Sequence, residues 1–167
     1  MTGLTTKRAA TLAVAFALAL SLGACAKNNA ADNALSGAYG ANGGPGSAQE
    51  FASSVGDRVF FESDSTELTP TAQATLDKQA AWLNQYGRYS FTIEGHADER
   101  GTREYNFALG ARRAETTKNY LVAKGVSATR MKTISFGKER PVAVCDDISC
   151  WSQNRRAVTV LAGTAGS

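Results

Sequence analysis

The chain is poor in the side chains that most site chemistry draws on. Its 167 residues include one histidine, His96, and three cysteines, Cys25, Cys145 and Cys150, with no Cys-x-x-Cys pair. A metal centre, or a hydrolase built on one, needs a cluster of such ligands, so neither a metal nor any other cofactor is expected. Charge of one sign is scarce too. Eighteen Lys and Arg stand against 15 Asp and Glu, a net +3, and no long basic stripe runs through the chain. Nucleic acid is therefore not an expected partner. Beyond the first 25 residues no apolar run is long enough for a membrane-spanning helix. No internal repeat is visible, and the length suits one folded domain with attachments.

What is present begins with a leader. Lys7 and Arg8 precede an apolar run, Ala9 to Leu22, of about the length of a signal h-region. Leu22-Gly23-Ala24-Cys25 follows and resembles the lipobox of bacterial lipoproteins. Small residues let the chain enter a peptidase at the membrane face, and the thiol carries the lipid. Residues 1–24 are thus expected to be a signal peptide and Cys25 to become the lipidated N-terminus, where several acyl chains give stable anchoring. Ala26 rather than Asp after the cysteine suggests the outer membrane, by analogy with lipoprotein sorting signals. Without Lys7 and Arg8 the balance is 16 basic against 15 acidic residues.

Residues 25–50 are rich in Ala, Gly, Asn and Ser and read as a flexible linker, with Gly43-Gly44-Pro45-Gly46 near its end. Such a coil spans roughly 25–30 Å on average and about 85 Å when stretched. The folded domain is expected over 51–162, with a short tail at 163–167. Val59-Phe60-Phe61 reads as a strand. Thr69-Pro70 is a helix start, and Leu76, Ala80 and Leu83 recur at i, i+4, i+7 on one face of a helix to about Tyr86, ended by Gly87. Tyr89, Phe91 and Ile93 alternate with polar residues as a half-buried strand. A second helix runs from about Arg103 to Lys124 and stops at Gly125. Met131 to Phe136 and Ala157 to Leu161 are the remaining strands, with a turn over Gly137 to Pro141. Strands alternating with helices imply an α/β sandwich of one sheet and two main helices.

The densest polar cluster is Glu94-Gly95-His96-Ala97-Asp98-Glu99-Arg100-Gly101-Thr102, between the second strand and the second helix. Loops at the C-terminal ends of strands are where α/β sheets place ligands. On the following helix the 100° period turns Arg113 toward the sheet, and Arg112 to the edge of that stripe or outside it. An inward guanidinium needs a carboxylate and further acceptors, and Asp98 is the natural candidate. Such a pair can accept an ammonium at Asp98 and grip a carboxylate at Arg113, which suits a zwitterionic amino-acid ligand. The alternative is a pair that only holds the fold together.

Gly95-His96-Ala97-Asp98-Glu99-Arg100-Gly101-Thr102, Tyr105-Asn106, Leu109-Gly110 and Arg112-Arg113-Ala114 resemble the signature of OmpA-like peptidoglycan-binding domains. Tyr120-Leu121, Gly125-Val126, Ser135-Phe136-Gly137-Lys138-Glu139, Pro141 and Asn154-Arg155-Arg156 continue the resemblance, which covers about residues 55–161 and is closest to the lipoprotein members. It implies an α/β (α+β) sandwich in βαβαβ-β order, one four-stranded mixed sheet with two main helices on one side. It also implies a non-enzymatic domain that holds the diaminopimelate residue of the wall's stem peptide. Asp98 would meet the ligand's ammonium and Arg113 its carboxylate. Asn106, Leu109 and the 96–102 loop, with His96, Gly101 and Thr102, would line the pocket. The implied partners are peptidoglycan, TolB and other Tol proteins, in a system that supports envelope integrity and constriction at division. One departure stands out: Phe61-Glu62-Ser63-Asp64 has Ser63 where relatives often carry a second aromatic.

The remaining candidates are read more blandly. Cys145 and Cys150, with four residues between them, suit a local disulfide in an exported protein, with free thiols or a metal site as alternatives. A wall hydrolase using Glu94, His96 or Asp98 lacks a second ligand cluster. His96 is expected to shape its turn by hydrogen bonding. Of Arg155 and Arg156 one is expected in solvent and the other paired with an acidic side chain. Trp82 and Trp151 are expected to pack.

Overall fold

The computed structural model describes residues 43–162. The expected signal peptide, the lipidated Cys25, the linker up to residue 42 and the tail at 163–167 lie outside the described residues. Ordered packing begins before residue 51, where composition ends the linker. Ser47 caps a short helix, α1 (Ala48–Glu50), by accepting from the Glu50 amide at 3.1 Å, and a π-helical turn, Phe51–Gly56, continues it. Phe51 is buried against the Trp82 ring at 4.9 Å. The Glu50 carboxylate takes the Trp82 indole N–H at 2.9 Å and the Gly46 amide at 2.6 Å. The Gly46 carbonyl accepts from Tyr89 Oη at 2.8 Å and from Arg88.

Four strands follow: β1 (Arg58–Phe60), β2 (Phe91–His96), β3 (Met131–Gly137) and β4 (Arg156–Leu161). They form one sheet in the order β1-β4-β2-β3, with β2 and β3 parallel and β4 antiparallel to both β1 and β2. The mixed sheet matches the expected fold. The main helices are α2 (Pro70–Gln85) and α3 (Arg103–Ala123). A further short helix, α4 (Ile148–Asn154), capped by Asp147, lies in the cysteine segment, where the sequence reading has only a loop. Alternation puts Phe91, Ile93, Ala157 and Leu161 on the core face, with Leu76, Leu83, Leu121 and Val126 from the helical layer. Each fully buried Leu or Phe contributes about 1.5–3 kcal/mol over its exposed state. One polar chain crosses this core: Thr159 Oγ1 donates to Gln79 Oε1 at 2.9 Å, and Gln79 Nε2 to the Gly56 carbonyl at 2.6 Å.

Helix ends are satisfied in two different ways. Thr69 accepts from the Ala72 amide with Pro70 at the first helical position, as its sequence signal predicts. Gly125 ends α3 at φ +88°. Its amide donates to Val122 O at 2.9 Å, and that of Val126 to Leu121 O at 3.0 Å, a Schellman closure. At the end of α2 the expected stop at Gly87 is replaced. Tyr86 is the C-cap, and the Arg130 guanidinium donates to the carbonyls of Leu83 (2.9 Å), Tyr86 (3.3 Å) and Tyr89 (2.8 Å). A cation thus fills the acceptors that a left-handed glycine would have closed. Tyr89, whose carbonyl is one of these acceptors, lies before β2, which starts at Phe91 rather than at Tyr89 as its alternation suggested.

The approach of α3 to β2 positions the site. A Cβ on Gly110 would sit 2.8 Å from the Gly95 carbonyl oxygen, and one on Gly95 would collide with the Gly110 backbone. Only glycine at both places lets helix and strand meet this closely. That contact sets the start of α3 beside the loop leaving β2.

Candidate functional site

A cavity of about 250 Å³ opens at the C-terminal end of β2. Ser63 and Asp64 wall it from the turn after β1, Asp98, Arg100 and Gly101 from the loop after β2, and Tyr105, Asn106 and Leu109 from α3. Thr102 caps α3 by accepting from the Tyr105 amide at 3.2 Å, which fixes where the helix begins. Asn106 is buried, and its Nδ2 donates to the Arg100 carbonyl at 2.7 Å, holding the loop down onto the helix. Lys138 Nζ takes the carbonyls of Glu99 at 3.1 Å and Gly101 at 2.7 Å from the other side. Tyr105 Oη donates to Asp64, whose backbone is left-handed at φ +55°.

Asp98 is 7% exposed, and Arg100 supplies most of its partners. Arg100 Nη2 donates to Oδ2 at 2.6 Å, while Arg100 Nε and the Arg100 amide each reach Oδ1 at 3.2 Å. Arg155 Nη1 adds a longer contact to Oδ2 at 3.4 Å. Burial raises the Asp98 carboxyl. The hydrogen bonds and charge of Arg100, with Arg155, together outweigh that and hold it below the usual carboxylate range. The carboxylate is therefore ionised at neutral pH, and Asp98 lines the cavity.

Arg113 departs from expectation. It is wholly buried, as the helical period predicts, but it makes no ion pair with Asp98. Its Nε donates to Ser65 O at 2.8 Å, Nη1 to His96 O at 2.8 Å and Nη2 to Glu62 O at 3.1 Å, and its Cζ lies 5.1 Å from the Phe61 ring centroid. Burial lowers the guanidinium to about 10, with the Asp98 charge opposing, so it remains protonated. The acceptors that the sequence demanded are three backbone carbonyls, two from the turn after β1 and one from the end of β2. Arg113 braces the cavity's floor and contributes no lining surface.

His96 is also corrected. The ring is 2% exposed and stacks on Phe136 at 5.5 Å between centroids. Neither ring nitrogen makes a hydrogen bond; Nε2 is 3.7 Å from Glu94 Oε2, and the turn is held through the His96 carbonyl instead. Burial, then the charges of Arg156 and Arg140, push its pKa down to about 4. A sealed, neutral imidazole has no path to a substrate proton, which removes it as a general base.

Of the seven residues expected at the pocket, Asp98, Gly101, Asn106 and Leu109 line it, while His96, Thr102 and Arg113 stand behind it. Asp64 and Tyr105 line it without having been expected there, Arg100 lines it as part of the expected 96–102 loop, and Ser63, noted only as a departure, lines it too. One signal was available for Arg100: an Asp two residues earlier in a loop favours an Asx turn, here the Arg100 amide to Asp98 Oδ1. Arg155 and Arg156 are both buried, so the expectation that one is in solvent fails. Arg156 donates to Asn154 O at 3.3 Å and Arg140 O at 3.1 Å, and Arg155 takes the expected acidic partner in Asp98. Cys145 and Cys150 are joined in a disulfide, its Cα atoms 5.7 Å apart. Asn154 pins that loop by accepting the Val142 amide at 2.9 Å and donating to Ala143 O at 2.7 Å. Trp151 supports the Arg100 guanidinium, whose Cζ is 4.2 Å from the ring centroid.

Residues 60–155 match the OmpA family. A peptidoglycan-associated lipoprotein of Mesorhizobium japonicum is 61% identical over 158 residues, covering 92% of each chain. The crystal structure of the peptidoglycan-associated lipoprotein from Burkholderia pseudomallei superposes with a TM-score of 0.63 at 40% identity, over 66% of this chain and 95% of that one. The C-terminal domain of Helicobacter pylori MotB shares the fold at 21% identity and a TM-score of 0.60, over 65% of this chain and 86% of that one.

Proposed function

The chain belongs to the OmpA family, and on that premise we propose that its domain grips the zwitterionic end of a diaminopimelate residue in the peptidoglycan stem peptide. It is a peptidoglycan-binding lipoprotein of that family and not an enzyme. The observation that carries the finer reading is Asp98: a carboxylate that is largely buried, ionised and bordering a cavity. At about 250 Å³ the cavity is smaller than drug-sized pockets of roughly 300–1,000 Å³, a size that suits one amino-acid side chain rather than a sugar strand. The ligand's ammonium goes to Asp98. Its carboxylate goes to the cationic side of the same mouth, where Arg113 lends its charge from beneath and Arg100 stands at the rim. Asn106, Leu109, Gly101, Thr102 and the His96 carbonyl hold the shape.

The same reading puts lipid on Cys25 and the domain in the periplasm at the end of a linker, anchored to the outer membrane. It makes TolB, with other Tol proteins, a partner whose surface overlaps the wall site, and it places the chain in envelope constriction at division. Co-purification of TolB with the full chain tests that part separately. For the wall site, Asp98→Ala is expected to lose sedimentation with purified sacculi while circular dichroism stays native. Undiminished sedimentation of the variant contradicts the assignment.

A further inference from the structure

Among the residues that line the cavity, Arg100 is the one cation, and it is already seated on the carboxylate that the ligand's ammonium needs. Arg113 and Arg155 are 0% and 5% exposed; Arg113 is taken up by backbone carbonyls, and Arg155 is held by the Phe61 carbonyl through Nε and reaches Asp98 only at 3.4 Å through Nη1. Arg100 differs. Its side chain is 43% exposed, and its guanidinium rests on three supports: Asp98, Ser63 Oγ at 2.9 Å and the Trp151 ring. A guanidinium stacked on an indole face can pivot without losing the stack. Ser63 belongs to this arrangement, since a phenylalanine at that position would have no oxygen to accept from Arg100 Nη2. Without Arg100 the lining charges would be Asp98 and Asp64 only, a mouth that favours any amine.

Resting on the diaminopimelate reading above, we infer that Arg100 sets the specificity of the site by occupying Asp98 until a ligand supplies both an ammonium and a carboxylate. A zwitterionic end exchanges partners evenly: its ammonium replaces Arg100 on Asp98, and its carboxylate accepts the fork that Arg100 has withdrawn. A lysine side chain brings the ammonium alone. It must break the Asp98–Arg100 pair and leave the guanidinium with Ser63 and the indole. Such a ligand is rejected by a charge the site already holds, not by its size.

The test uses the full chain in detergent and two synthetic stem peptides, one with diaminopimelate at the third position and one with lysine there. Calorimetric titration of the native chain is expected to give at least roughly tenfold tighter binding of the diaminopimelate peptide. In Arg100→Gln the ratio is expected to fall to about two or below, with the diaminopimelate peptide weakened and the lysine peptide equal or stronger. Equal affinities in the native chain, or a ratio unchanged in Arg100→Gln, overturn the inference and leave the site assignment standing. Failure of the native chain to bind either peptide removes both. Asp98→Asn serves as the control and loses both peptides.

Discussion

The two ends of β2 solve opposite problems. At the start of the strand, Phe51, Tyr86 and Tyr89 pack around Trp82 with ring centroids 4.7–5.3 Å from it, Tyr89 stacked and the other two tilted, and Glu50, Gly46 and Arg88 close the cluster with hydrogen bonds. At the far end, Asp98, Arg100 and Asp64 surround an open cavity. The closed end binds chain to chain where the linker arrives. The open end keeps its strongest partners, a carboxylate and a guanidinium, in a pair that an incoming ion pair can replace. Apolar contacts hold wherever water is excluded, whereas a buried carboxylate paired with a guanidinium that is itself 43% exposed can exchange that partner for another cation. Holding and exchanging are thereby separated by the length of one strand.

The sharpest way to break this comparison is Arg113→Ala, because that side chain underlies the open end yet behaves like core. Removing this wholly buried side chain leaves three carbonyls without their donor, that of His96 in a buried bond, and the expected loss is about 3–5 kcal/mol in chemical denaturation together with loss of sacculus binding. A variant of native stability would make Arg113 a ligand group only. Trp82→Ala acts at the closed end. It is expected to cost about 3–4 kcal/mol while the folded fraction binds sacculi as the native chain does. Altered affinity in that fraction would show that the two ends are coupled.

The smallest effect is one of pH. His96 has a folded pKa of about 4 against about 6.5 in the unfolded chain, so the unfolded chain takes up the proton first. Stability is full above about pH 6.5 and falls as pH drops toward 4, by on the order of 3 kcal/mol. Denaturation midpoints measured across that range should lose this slope in His96→Phe. A slope that survives the substitution would have to come from the carboxylates.

Local signals made the helices legible. Thr69-Pro70, Leu76, Ala80 and Leu83 mark α2, and Gly125 marks the end of α3, because caps and periodicity act within a few residues. Arg130 capping α2 from 45 residues beyond its C-terminus is invisible to such signals, and so is the Gly46 carbonyl under Arg88 and Tyr89, in a stretch whose glycines read as coil. At the site the helical period turned Arg113 inward correctly but could not say that its acceptors would be carbonyls. Asp98 was legible from its place after β2. Its true partner Arg100 depended on a loop conformation that no periodicity describes, and α4 was hidden by the Ser, Asp and Cys content of its segment.

Titration of the isotopically labelled chain with a diaminopimelate-containing stem peptide, followed by amide chemical shifts, tests the division of labour most directly. Shifts are expected at Ser63, Asp98, Arg100, Asn106 and Leu109, with Trp82, Tyr86 and Tyr89 unmoved and all changes absent in Asp98→Asn. Shifts concentrated at the aromatic end, or a native response retained in Asp98→Asn, would contradict the account.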